Sequence, residues 1–243
     1  MLVILRKRNL DMDLYNPHSV FAALKNRPDD VLEIVLSEHG GSTAWADVKT
    51  KALELGISLS EKKRTNENSR REGSYAQVVE KKPISLELLM NKQEKQGFWI
   101  ALDSLQDPNN VGSIFRTAAF FGSNGIIMTK NRASPMSPIV YDVASGGVEA
   151  VAFSIETNLS RSLQKMKDQG LWILGTSEHA QKNLTELKKD RPWVIVVGNE
   201  ENGIRQNVLQ QCDEQVAIKA KTDHSVTSLN VAIASAIVAA QLA

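Results

Sequence analysis

Three polar strings in this chain combine residue types that a packed core does not require. The first is DSLQDPNNVGSIFRTAAFFG (103–122), where Asp107, Pro108, Asn109 and Asn110 lead into a helix expected near Gly112, with Arg116 about one turn inside it. A helix start offers unpaired backbone N–H groups and the positive end of the dipole, so an anion can bind there. Arginine adds a planar fork suited to phosphate or carboxylate, and Arg116 lies close enough to the loop to share such a ligand with Asn110. An ordinary helix cap followed by a surface arginine reads the same way.

The second string is WVIVVGNEENGIRQ (193–206). Gly198 ends an apolar strand, Glu200 follows after one residue, and Gly203 is expected to open the next helix. Glycine lets the backbone approach a ligand closely, and a carboxylate in such a turn accepts hydrogen bonds from loop N–H groups or from a ligand. A plain strand-to-helix turn fits equally, and Glu200 is not separable from Glu201 on these grounds. In the third string, VTSLNVAIASAIVAAQLA (226–243), Ser228 and Asn230 stand at the start of a long Ala-rich helix, where capping is their simplest role.

Strand and helix signals alternate through the C-terminal part, which carries all three strings. FWIALD, GIIM, AVAFS, LWILGT, WVIVVG and QVAIKA read as short apolar strands; GSIFRTAAFFG, RSLQKMKDQG and IRQNVLQQC read as the helices between them. That alternation predicts a parallel sheet covered on both faces, whose ligands bind in the loops after the strands. Three such loops presenting Asn, Arg, Glu and Ser would meet at one sheet edge, which capping does not explain. The N-terminal part reads as a smaller α/β unit. NPHSVFAALKN is a helix with Asn16 as cap and Pro17 in its first turn, LEIVLSE and SYAQVVE are strands, and WADVKTKALELG is a helix stopped at Gly56. Between the parts, KKPISLELLMNKQEKQG carries a proline and several charges, so the expected division is 1–85, a linker at 86–96, and 97–243.

Composition narrows the function classes. The chain has 243 residues with a hydrophobic fraction of 42%, enough for two sizeable cores, and no apolar run long enough to cross a bilayer. The start, MLVILRKRNLDMDLYN, places charge after a very short apolar stretch and does not read as a secretory signal. One cysteine, Cys212, excludes an internal disulfide and fits a reducing cytoplasm; its helical context suggests a packed thiol. No Cys or His pair has ligand spacing, so no metal site is expected. Neither G-x-G-x-x-G after a strand, nor a P-loop, nor a G-x-S-x-G elbow occurs. The net charge of +1 says little, but Lys62, Lys63, Arg64, Arg70 and Arg71 offer either a basic face for nucleic acid or a solvated charged loop.

DPNNVGSIFRTA, VVGNEENGI and SLNVAIA, in this order and spacing, resemble the three signature motifs of the SpoU (TrmH-like) RNA ribose 2'-O-methyltransferases, over about residues 97 to 243. The resemblance implies a trefoil-knotted, parallel-sheet α/β (SPOUT) domain, an exception to the general avoidance of knots. It also implies S-adenosylmethionine as cofactor and a homodimer with active sites at the subunit interface. The N-terminal part is similar to the substrate-binding domain of the rRNA guanosine 2'-O-methyltransferases, which favours a 23S-type rRNA guanosine as target. A tRNA ribose methyltransferase and a non-catalytic RNA-binding relative remain the alternatives. Carried over to matching positions, Asn110, Arg116, Glu200, Ser228 and Asn230 are the catalytic set. Gly175, Thr176, Gly198, Ile218 and Leu229 are the cofactor-binding set. Two strings depart from the family pattern near the cofactor loop: DHSVTSLN lacks the usual glycine before Ser228, and IKAK replaces an Ile-Pro start. A third, SYAQVVE, stands where relatives carry a His-Gln-Gly turn.

Overall fold

The computed structural model describes residues 11–37, 42–62, 73–91, 97–221 and 228–243. Its chain divides into two compact units, Met1–Lys82 with Met136–Ala150, and Pro83–Pro135 with Val151–Ala243.

The first unit opens with strand β1 (Asp11–Leu14) and helix α1 (Pro17–Asn26). As the sequence suggests, the Asn16 side chain accepts the His18 N–H and Pro17 occupies the first helical position. Strand β2 (Val31–Ser37), helix α2 (Thr43–Glu54), and strands β3 (Leu59–Lys62) and β4 (Tyr75–Val79) follow. The four strands form one sheet in the order β1-β4-β2-β3, antiparallel except for the β2–β3 pair. Met12 and Leu14 alternate with half-buried Asp11 and Asp13, and Ala76 and Val78 alternate likewise in β4, the period-two pattern of strands with one buried face. Gly56 stops the chain beyond α2 in the left-handed conformation, φ +68°, which glycine adopts without the Cβ penalty. Strands β1 and β3 were not anticipated, since neither carries an apolar run.

The second unit begins with helix α3 (Leu86–Met90), which lies in the segment expected to be a linker. The Ser85 side chain accepts the Leu88 N–H, and Leu86, Leu89 and Met90 join the apolar core around Trp99, Ile127 and Val194. Gly125 lies directly over Leu89, so a side chain there would displace it. Strand β5 (Phe98–Leu102), helix α4 (Pro108–Phe120) and strand β6 (Gly125–Thr129) come next. The chain then supplies helices α5 (Pro138–Ala144) and α6 (Gly147–Ala150) to the first unit, a departure from the uninterrupted 97–243 domain expected. There the Asp142 carboxylate accepts the N–H groups of Tyr15 and Asn16, Ser19 donates to the Tyr141 carbonyl, and Arg27 forms a two-point pair with buried Glu149. These partners are more than 120 positions apart in the chain, beyond the reach of any local pattern.

Strand β7 (Phe153–Glu156), helix α7 (Leu159–Asp168), strands β8 (Trp172–Thr176), β9 (Lys182–Asn183) and β10 (Trp193–Val197), helix α8 (Gln206–Leu209), strand β11 (Glu214–Ala217) and helix α9 (Val231–Leu242) complete the second unit. Its sheet is seven-stranded and parallel throughout, in the order β7-β6-β5-β10-β8-β11-β9. The expected strands are present, although the one read at 150–154 is displaced to Phe153–Glu156 because Ala150 ends α6, and short β9 adds one. Every residue of β5, β6 and β10 is buried, as unbroken apolar runs at the centre of a two-sided parallel sheet require.

Candidate active site

Strands β5, β10, β8 and β11 lie side by side, so their C-terminal ends deliver four loops to one edge of the sheet. Asp107 caps α4 by accepting the Asn109 N–H, and the helix starts at Pro108, about one turn earlier than the expected start near Gly112. Asn110 is therefore in the first turn of α4 rather than in the loop, and it is buried. Arg116 follows six residues later, about 9 Å along the axis at 1.5 Å per residue, and is exposed.

Asn110 stands at the middle of a polar chain that joins all three motif segments. Its Nδ2 donates to Glu200 Oε1 at 2.8 Å, and its Oδ1 accepts from Asn230 Nδ2 at 2.9 Å. Asn230 Oδ1 in turn caps α9 by accepting the N–H groups of Ala232 and Ile233. Capping and site assembly are thus both served by one side chain, because an amide offers two donors and an acceptor oxygen. The second oxygen of Glu200 accepts from Asn199 Nδ2 at 3.2 Å, and the same nitrogen donates to the Ser104 carbonyl at 3.1 Å. The structure thereby separates Glu200 from Glu201: Glu200 is the carboxylate tied to Asn110, whereas Glu201 gives only its backbone N–H to Asn199.

The turn that carries Glu200 is closed by Asn199 and Gly203, which exchange backbone hydrogen bonds of 3.0 and 2.9 Å. Asn199 Oδ1 also accepts the N–H groups of Glu201 and Asn202. Gly203 sits inside this turn at φ +65° and does not open a helix as expected; α8 begins three residues later. Gly198 is packed so tightly that a Cβ would lie 2.2 Å from the Gly203 carbonyl carbon. The expected helix 204–212 shortens to Gln206–Leu209.

Of the other expected site residues, Ser228 and Leu229 are exposed just before α9, and Ile218 is half-buried just after β11. Gly175 and Thr176 close β8; Gly175 pairs in register with Val196 and Gln215, and the Thr176 hydroxyl donates to the Val196 carbonyl. A Cβ on Gly175 would lie 2.9 Å from Cys212 Sγ. Gly175, Thr176, Gly198 and Ile218 are thus gathered at the ends of three adjacent strands. His224 and Ser225 lie outside the described residues, as do Lys63, Arg64, Arg70 and Arg71; Lys62 ends β3. Sequence reasoning passed over Asn199 and the pair Asp103 and Arg205, whose partners lie about a hundred positions away. The Asx-turn chemistry of Asn199 alone was open to recognition, as an asparagine heading a tight turn.

Among the described residues, no group of His, Cys, Asp or Glu could hold a metal ion, and no helix is long and apolar enough to cross a membrane. A parallel α/β sheet with its polar cluster at the strand ends defines a class of ligand-binding enzymes rather than one activity. The SpoU rRNA methylase family profile matches residues 97–240, more than half of the chain, and the protein belongs to that family. It is 32% identical to the 23S rRNA (guanosine-2'-O-)-methyltransferase RlmB of Pseudomonas aeruginosa over 231 residues, which cover 92% of each chain. The enzyme of the same name from Nitrosomonas europaea is 31% identical over 92% of this chain and 88% of its own. In fold, the protein is similar to the SpoU methyltransferase AviRb of Streptomyces viridochromogenes in complex with AdoMet. That match has a TM-score of 0.77 at 18% identity and covers 98% of this chain and 91% of the other.

Proposed function

We propose that this protein transfers a methyl group from S-adenosylmethionine to the ribose 2'-hydroxyl of a guanosine in 23S-type rRNA. The observation that carries the reading is the Asn230–Asn110–Glu200 chain, which unites the three family motifs at one sheet edge. Relatives that share this chain nearly end to end are 23S rRNA guanosine methyltransferases, so the resemblance includes the first unit. That unit is read as the RNA-binding part.

The residues present fit the cofactor. Gly175, Thr176 and Gly198 stand at the ends of the adjacent strands β8 and β10, and half-buried Ile218 just after β11 and exposed Leu229 just before α9 supply apolar side chains. Main-chain groups with apolar flanks suit a nucleoside that carries a cationic sulfur. When bound, the cofactor supplies a methyl group already activated by positive charge on sulfur. A ribose hydroxyl is a poor nucleophile, so the protein's task is to align it and help its proton leave. Arg116 binds the phosphate beside the target ribose, and its guanidinium cation stabilises the negative charge developing on the oxygen as the hydroxyl proton passes to solvent water. Asn110, with Glu200 and Asn230 holding both ends of its amide, orients the ribose, and Ser228 closes the site from the start of α9.

The sheet order β5-β10-β8-β11, in which β10 lies between β5 and β8, together with family membership supports a knotted path through the last strands and α9. A homodimer is supported by the surface of α4 and α9. Phe120 is 81% exposed, and Ile233 and Ile237 are 54% and 38% exposed on a helix that is apolar on all sides. A helix of that composition belongs in an interior, and a second copy would provide one. An rRNA target supports a cytoplasmic location.

The test is transfer of tritiated methyl from S-adenosylmethionine to unmodified rRNA and tRNA, with alkali-resistant linkages mapped. One resistant linkage at an rRNA guanosine is the expected result. Transfer to tRNA alone would replace the substrate, and cofactor-independent RNA binding without transfer would replace the activity.

A further inference from the structure

Two residues outside the family motifs hold the Glu200 turn at both ends. Asp103 directly follows β5 and its carboxylate is fully buried. One oxygen accepts the backbone N–H of Arg205 at 2.9 Å; the other accepts Arg205 Nε at 2.8 Å and lies 2.6 Å from the second guanidinium nitrogen. Arg205 is the residue at which the turn gives way to α8. The next residue after Asp103, Ser104, holds the other end: its carbonyl accepts Asn199 Nδ2, immediately before Glu200. To do so, Ser104 adopts φ +61°, a left-handed conformation that a non-glycine residue rarely takes. Its backbone N–H is anchored on Thr129 Oγ1 of β6.

We propose that Asp103 and Arg205 form a latch that sets the position of Glu200, with Arg205 acting as a positioning residue for methyl transfer. The inference rests on the catalytic reading of Glu200 given above. Its physical basis is that the segment 103–116 carries Asn110 and Arg116 and also grips the turn that carries Glu200. One rigid connection therefore aligns both halves of the polar cluster. A buried carboxylate must be paired, and Arg205 supplies the charge together with a fork that fixes direction, which a flexible ammonium does not. The Arg205 side chain is 42% exposed, so its removal leaves a hole that water can enter and the fold should survive.

The experiment compares Arg205→Ala and Arg205→Lys, alone and combined with Glu200→Ala, in the full chain. Hydrogen exchange by mass spectrometry on the protein without RNA is the first readout. Arg205→Ala should lose protection in peptides covering 199–205 while β5, β6 and β10 keep theirs, with Arg205→Lys in between. Unchanged protection of 199–205 would overturn the latch whether or not methyl transfer is ever detected. The second readout is kcat, expected to fall about 100-fold in Arg205→Ala, the size of effect a displacement of about 1 Å produces. In the Glu200→Ala background the same change should cost less than about threefold if Arg205 acts through Glu200. A full additional 100-fold loss there would make Arg205 merely structural. Absence of methyl transfer by the unaltered protein would count against the proposed function and leave the exchange result to decide the latch.

Discussion

At the scale of single residues, two side chains separate reactivity from packing. Arg116 is exposed on α4, the position from which the proposed mechanism has it meet the substrate phosphate, and Asn110, Glu200 and Asn230 are hydrogen-bonded to one another. Arg116→Ala should therefore lower the rate of methyl transfer by roughly 100-fold or more, within the range for a group that assists proton removal, while S-adenosylmethionine affinity by calorimetry stays nearly unchanged. An equal rate would remove Arg116 from the mechanism. Cys212 is the opposite case. Burial first, and then the neighbouring Asp213 charge, push its thiol up to about 12, since both disfavour the thiolate. Because the thiolate is the reactive form, Cys212 should resist Ellman's reagent at pH 8 in the folded protein and react at once in guanidinium chloride. Fast labelling of the native chain would show the thiol to be open. The identities of these residues were all legible beforehand. Their hydrogen-bond partners were not, because the pairs Asn110–Glu200 and Asn110–Asn230 span 90 and 120 positions.

At the scale of elements, the turn between β10 and α8 depends on two glycines for different reasons. Gly203 supplies a left-handed φ, and Gly198 supplies the space its own turn folds into. Gly198→Ala should thus be the more damaging change. Its methyl would meet backbone rather than the tip of a side chain, and an overpacked site of this kind costs about 1–3 kcal/mol. The expected outcome is a lower midpoint in urea unfolding together with loss of methyl transfer; an unchanged midpoint would mean the turn can relax. Elements with clear apolar runs or caps, such as β5, β10 and α1, fell where their residues indicate. The strands β1, β3 and β9 escaped notice because they are only two to four residues long and carry polar side chains. Helix α3 escaped because its charged flanks resemble a linker, although Leu86, Leu89 and Met90 pack into the core.

At the scale of the whole molecule, the first unit is discontinuous, and that has a measurable consequence. A fragment of residues 1–82 keeps all four strands of the smaller sheet but loses α5 and α6. Arg27 would then lack Glu149, and Tyr15 and Asn16 would lack the Asp142 carboxylate. Removing one partner of a buried ion pair costs about 3–5 kcal/mol, comparable with the whole stability of so small a unit. The fragment should show little cooperative thermal unfolding by circular dichroism, and a sharp transition would contradict this. The exposed apolar surface of α4 and α9 carries a second expectation: sedimentation should find a dimer, and Phe120→Glu should shift it toward monomer. A monomer at micromolar concentration would remove the proposed interface.

By itself, the sequence determined the class of fold and the three polar segments, because periodicity, strand-end glycines and cap residues act over a few neighbouring positions, and the three motif strings carried the resemblance to the family. Only the tertiary structure decided that Glu200 rather than Glu201 meets Asn110, that Asn199 and the Asp103–Arg205 pair brace the turn, and that residues 136–150 complete the first unit. Each of these is a contact between residues far apart in the chain, and such contacts come into being only when each unit folds and brings distant segments together.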